Sequence, residues 1–277
     1  LFQDEVVTMR SALTITMLGC GTSVGIPCLG RAGWGTCDPN EPKNRRQRCA
    51  LLVRSKTTTI LVDAGPDIRN QLLPHELEKI DAVLITHTHS DHVAGIDDLR
   101  VFYWPNRTEV PVYASAKHGA ELTERVPYLF SKNPTSPSYF IPPFTMQEIA
   151  AGDMLKIGDI SIEVLHQEHG GTFSFGFIFN DVCGYSTDVK EHPEINFEKL
   201  ANIPLWIVES LREQEHQAHA DYATTFSWIE RVKPKHAVLT HLGLEADYQT
   251  LYELCPEGVE PGYDGMTFHM ICKSDGL

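Results

Sequence analysis

The side chains best suited to chemistry fall in one run, Thr86-His87-Thr88-His89-Ser90-Asp91-His92, in which four metal-capable groups lie within six residues. The run follows Ala82-Val83-Leu84-Ile85, which is short, apolar and β-rich and reads as a buried strand, so it occupies the loop leaving that strand's C-terminal end. Alternate residues of an extended segment share a face, so His87 and His89 point the same way and can hold one ion. Asp91 and His92 lie about one turn later and can hold a second. Imidazole together with carboxylate suits zinc, manganese or iron.

Two further histidines and two further acids lie at or near the ends of predicted strands. Strands are expected over residues 13–18, 50–53, 59–62, 110–114, 154–157, 160–165, 174–179, 182–188, 204–209, 235–239 and 266–271. Asp63 and Asp188 end two of them. His241 follows another, and His169 lies just beyond the strand that holds His166. Helices are expected over 66–73, 116–129, 222–232 and 246–254. Residues 19–27 form a glycine-rich turn, and 28–48 an irregular loop ending in the basic run 43–48. Residues 132–144 carry four prolines and read as a loop or edge segment. Strands and helices alternate in both halves, which by pattern alone gives α/β or α+β.

Composition narrows the function classes. With 277 residues, 42% of them hydrophobic and 22% charged, the chain suits one large globular domain or two small ones. No apolar run is long enough to span a membrane, and the acidic Leu1-Phe2-Gln3-Asp4-Glu5 is no secretory signal. Seven scattered cysteines without a Cys-x-x-Cys pair read as small buried residues in a reducing compartment, and a cytoplasmic location is expected. The net charge of −14 opposes long-range attraction of polyanions, and only 43–48 could form a basic patch. No stable nucleic-acid partner and no membrane partner are therefore expected.

The His-x-His-x-Asp-His run resembles the signature of the metallo-β-lactamase superfamily. That resemblance implies an α+β, four-layer αβ/βα sandwich, with residues 1–12 a leader or cloning remnant and 13–277 a single hydrolase domain. It also implies the remaining ligands: His169 before an aromatic-glycine strand, Asp188 in a Tyr185-x-x-Asp188 element as a carboxylate shared by two metals, and His241 in a Thr-His pair. Asp63, in Asp63-Ala64-Gly65, is expected behind a ligand histidine, orienting it. One ion would be held by His87, His89, His169 and Asp188, the other by Asp91, His92, His241 and Asp188. The cofactors implied are two divalent ions per chain, zinc or manganese, with iron open.

Several elements are similar to the PhnP-type phosphodiesterases, which are related to tRNase Z and act on ribosyl cyclic phosphates: Gly21-Thr22-Ser23-x-Gly25-x-Pro27, then Pro42-Lys43-Asn44-Arg45-Arg46-x-Arg48, then His216-x-x-His219, and residues 259–266. The resemblance implies hydrolysis of small, cyclic ribosyl or nucleotide phosphodiesters by a metal-activated hydroxide. His219 would be general acid, Asp91 would serve in catalysis as well as in metal binding, and Ser23, Arg46 and Arg48 would touch the substrate. A homodimer is open. Members often carry a cysteine cluster and a histidine three residues past the Thr-His pair, which form a separate structural zinc site. Here only Cys37 and Leu244 occupy those places, so that zinc is expected to be absent. The alternatives are a tRNase Z-like nuclease, a lactonase, a β-lactamase, or a metal-binding protein without catalysis.

Overall fold

The computed structural model describes residues 12–271 except Asn106 and Asn133. The chain runs β1 (Ala12–Gly19), β2 (Ala50–Arg54), β3 (Thr59–Val62), α1 (Ile68–Leu72), β4 (Ala82–Leu84), α2 (Ser90–Val93), β5 (Val110–Ala114), α3 (Ala116–Arg125), α4 (Pro127–Phe130) and β6 (Phe144–Glu148). It continues with β7 (Met154–Ile157), β8 (Ile160–His169), β9 (Thr172–Phe179), β10 (Cys183–Ser186), α5 (Glu194–Leu200), β11 (Leu205–Glu209), α6 (Tyr222–Val232), β12 (His236–Thr240), α7 (Tyr248–Leu254), β13 (Val259–Pro261) and β14 (Thr267–Ile271). Short 3-10 helices occur at Pro42–Asn44, Leu73–His75 and Ile96–Phe102.

Two seven-stranded sheets result, ordered β14-β1-β2-β3-β4-β5-β6 and β13-β12-β11-β10-β9-β8-β7. Each has an antiparallel half and a parallel half. Strands β3 to β6 and β10 to β13 are parallel, joined by crossovers that carry helices. Strand parity builds the layers. Leu51 and Val53 face the core between the sheets, together with Phe177, Phe179 and Ile207. Ala50 and Leu52, one residue out of phase, pack under the helices of the first sheet, as Trp206 and Val208 do in the second. Helix, sheet, sheet and helix make the four-layer α+β sandwich. Among the described residues no helix is long and apolar enough to cross a membrane.

Some expectations need correction. The helix expected over 116–129 is two helices, because Pro127 offers no N–H and drives Val126 out of helical backbone (φ −134°, ψ 58°). The proline-rich stretch after Lys132 leads into an edge strand, β6, paired only with β5. β8 runs on to His169, so His166 and His169 share a strand but, three residues apart, face opposite sides. The leader proposed for residues 1–12 lies outside the described residues except for Ala12, which already belongs to β1.

Candidate metal centre

Parallel strands end at one edge of the sandwich, and the candidate site is built where they stop. Asp63 follows β3, the His87–His92 loop follows β4, Asp188 follows β10, Glu209 ends β11 and His241 follows β12. Asp63, Asp188 and His241 hold left-handed backbone (φ 63°, 53° and 53°), a conformation that costs a non-glycine residue about 1–3 kcal/mol and persists where the surroundings impose it. Gly65 brings the Asp63 loop against the metal-capable loop: a Cβ there would stand 1.9 Å from the Asp91 carbonyl oxygen.

The structure brings together His87, His89 and His169 in one group and Asp91, His92, Asp188 and His241 in a second. Asp188 lies between them. Its carboxylate is 3.1 Å from His92 Nε2, 3.4 Å from His241 Nε2, 3.8 Å from His87 Nε2 and 3.9 Å from His169 Nε2. Asp91 Oδ2 is 3.2 Å from His92 Nε2. All are buried except His89, which is exposed.

Most of the rings are held from behind. Asp63, fully buried, accepts from Thr86 N and Thr86 Oγ1 and from His92 Nδ1 at 2.7 Å. With its own proton given to Asp63, Thr86 Oγ1 accepts from His87 Nδ1 (3.1 Å). His169 Nδ1 donates to the Ala218 carbonyl (2.8 Å), and Glu209 Oε1 lies 2.9 Å from His241 Nδ1 and 2.5 Å from His219 Nδ1. Protons placed on Nδ1 leave the Nε2 lone pairs for the centre. Among the described residues, Nε2 of His87, His92 and His241 is buried with no hydrogen-bond partner, and so is His241 Nδ1, whose geometry toward Glu209 is not that of a hydrogen bond. Orphaned ring nitrogens converging on one carboxylate are a donor set that fits a divalent metal.

The electrostatics divide the histidines into two pairs. Burial, aided by neighbouring His92, pushes the His87 pKa well below its ordinary value, which keeps the ring neutral, and burial likewise lowers His169. Burial also opposes protonation of His92 and His241, but Asp188 and the adjoining carboxylates outweigh it and raise both. Burial would raise Asp188 and Asp91, yet the surrounding imidazoles hold both below the ordinary carboxylate range.

The remaining predicted residues are placed as follows. His219 adjoins the centre, its Nδ1 4.0 Å from Asp188 and its ring stacked on His241 at 4.7 Å. Ser23 is exposed on the glycine-rich turn, which pairs at Gly21 with both Leu242 and Arg48. Arg48 is partly exposed and ion-paired to Asp67 (2.9 Å). Arg46 is a correction. It is 1% exposed, and its guanidinium donates to the Ala246 carbonyl (2.6 Å), so it ties the 28–48 loop to the strand region beyond His241 and is closed to a substrate. Cys37 Sγ donates to the Leu244 carbonyl (3.4 Å), joining those same two regions. Glu209 was not anticipated. It closes an apolar strand, as Asp63 and Asp188 follow theirs, but unlike them it belongs to no motif that the resemblance marks.

This fold carries a histidine–carboxylate cluster at its strand ends. The chain belongs to the metallo-β-lactamase superfamily: the family model described as Beta-lactamase superfamily domain matches residues 58–242, well over half of it. It is similar to a crystal structure described as a new diphosphatase from the PhnP family, at 27% identity and a TM-score of 0.86, covering 96% of this chain and 100% of that one. It is 31% identical over 253 residues to an octanoyltransferase of Porphyromonas gingivalis, covering 90% of this chain and 50% of that protein. To a ribonuclease Z of Methanopyrus kandleri it is 30% identical over 131 residues, 47% of this chain and 43% of that protein. The chain spans about half the length of the curated relatives it matches.

Proposed function

We propose that the chain is a phosphodiesterase that hydrolyses small, cyclic ribosyl or nucleotide phosphodiesters. His87, His89 and His169 would hold one divalent ion and Asp91, His92 and His241 a second, with Asp188 shared. Bound there, divalent ions supply Lewis acidity, lowering the pKa of water and drawing charge from phosphoryl oxygens. The observation that carries the reading is His219 on Glu209. With Nδ1 engaged by Glu209, the proton His219 has to give is the one on Nε2. Glu209 is fully buried; burial opposes its ionisation, but His219 and His241 hold its pKa low, so it stays charged and steadies the imidazolium. His219 Nε2 would protonate the departing alkoxide. Asp91 would orient water by its carboxylate, and Ser23, on the turn that pairs with Leu242, and Arg48, which pairs with the same turn, would meet the substrate's anionic end.

The likeness to the PhnP-family diphosphatase supports phosphorus rather than an acyl centre. The ribonuclease Z relative favours a nuclease as the second reading, which a net charge of −14 opposes. The test is turnover by metal-loaded protein of cyclic nucleotides, bis(p-nitrophenyl) phosphate, a tRNA precursor and a lactone. Cyclic diesters are expected to be cleaved, and His219→Ala to keep its metal while losing about 10²–10⁴-fold on them. The loss should be smaller for p-nitrophenolate, which departs without a proton. Faster cleavage of the lactone or the RNA, or an unimpaired His219→Ala on cyclic diesters, would overturn the reading.

A further inference from the structure

In His87-Thr88-His89 the two histidines face one way, so Thr88 faces the other, away from the cluster. It does not point at solvent: it is buried, and α3 meets it with two side chains. Thr88 Oγ1 donates to Glu121 Oε2, and the Thr88 carbonyl accepts from Arg125 Nη1. Glu121 and Arg125 are four apart on α3, the spacing at which opposite charges usually pair with each other. Among the described residues they form no such ion pair, and each spends its polar end on Thr88 instead.

His89 is where this matters. His87, His92, His169, His219 and His241 each have Nδ1 beside a group outside the cluster: Thr86, Asp63, the Ala218 carbonyl, and Glu209 for the last two. Among the described residues His89 has no such partner. It is exposed, and its ring nitrogen neighbours only His169, at 3.3 Å, itself a member of the cluster. Its ring packs edge-on against His87 (4.5 Å) and His169 (5.1 Å), both members of the cluster, and among the described residues no hydrogen bond from behind fixes it, so its position leans on the main chain that carries it. The residue before it is gripped through both side chain and carbonyl.

We propose that Glu121 and Arg125 are positioning residues that hold His89 in place for the metal of the His87–His89–His169 group by clamping Thr88. This rests on the metal-binding reading above, not on the substrate. The test is competition titration of chelator-stripped protein with Zn²⁺ against a chromophoric chelator, resolving the stepwise affinities, with His89→Ala assigning the step to which His89 contributes. Glu121→Ala, Arg125→Ala and Thr88→Val should each weaken that step by about 10–100-fold, the usual cost of losing a group that orients a ligand, and leave the other step in place. Glu121→Gln, which keeps an acceptor oxygen for Thr88, should restore most of the affinity, and Glu124→Ala, exposed on the same helix, should change nothing. The absorption of bound Co²⁺ should shift in the weakened variants and return in Glu121→Gln. Unchanged affinities in Glu121→Ala and Arg125→Ala would overturn the clamp, as would equal weakening of both steps in parallel with melting temperature. Wild-type protein that binds no Zn²⁺ would instead remove the metal reading itself.

Discussion

Asp188 is the residue on which the centre converges. Five imidazoles have a nitrogen within 4.0 Å of its carboxylate, and it is held in left-handed backbone while Ser174 Oγ donates to its carbonyl (2.8 Å) and Thr187 Oγ1 to its Oδ2 (2.7 Å). Both groups of candidate ligands meet there, whereas His169 belongs to one. Asp188→Ala is therefore expected to weaken metal uptake at both positions, and His169→Ala at one. Titration of each variant with Zn²⁺ checks this, and two undisturbed steps in Asp188→Ala would exclude a shared carboxylate. At this scale the sequence was readable where chemistry is local. The spacing of His87, His89, Asp91 and His92 needs only strand parity. Glu209 was hidden because its partners, His219 and His241, lie ten or more residues away and an acid at a strand end looks like any strand end. Arg46 was misread because a basic run carries no mark of which guanidinium will be buried.

At the scale of elements, alternation and length revealed most of the strands, since a strand between two cores must offer apolar side chains to both faces. What was missed was the strand β6 itself, which starts where the proline-rich loop or edge segment ends, and a break: one helix pattern spanned two helices because apolar spacing continues across Pro127. Packing in the second helical layer leads to a pH effect. The His192 ring sits between Trp228 (4.8 Å), Trp206 and Phe197 (5.8 Å each), with Nε2 shut off from solvent and without a partner. Burial lowers its pKa to about 3. A histidine with a depressed folded pKa stabilises fully above its ordinary value of about 6.5, and that contribution is lost as the pH falls from there towards 3, because the unfolded chain binds the proton first. His192→Phe should thus flatten the acid limb of stability between pH 6.5 and 4, by at most about 1.4 kcal/mol per pH unit, the slope of one proton. Urea unfolding of both proteins at pH 7 and pH 4.5 measures it; parallel pH dependences would mean the ring is already protonated or hydrated in the fold.

For the molecule as a whole, the decisive feature is that the candidate ligands come from both sheets. His87, His89, Asp91 and His92 follow a strand of the first, while His169, Asp188 and His241 belong to the second. Elsewhere the sheets are joined by the apolar core between them and by polar contacts such as those of Ser55 and Thr58 with Asp159 and of Arg46 with the Ala246 carbonyl. An ion bound across this edge binds the folded chain and not the unfolded one, where the ligands are dispersed over more than 150 residues of sequence. By mass action, free metal at 100 times its Kd stabilises by about 2.7 kcal/mol. In a chain of this size each kcal/mol shifts Tm by roughly 2–4 °C, so chelation should lower Tm by roughly 5–10 °C. Restoring Zn²⁺ or Mn²⁺ should recover it, with a shift that grows with metal concentration. Asp188→Ala should show little of this response, because the carboxylate joining the two halves of the site is gone. Calorimetric scans with and without chelator, on wild type and Asp188→Ala, decide the point: a Tm insensitive to chelation in the wild type would mean that no metal links the sheets.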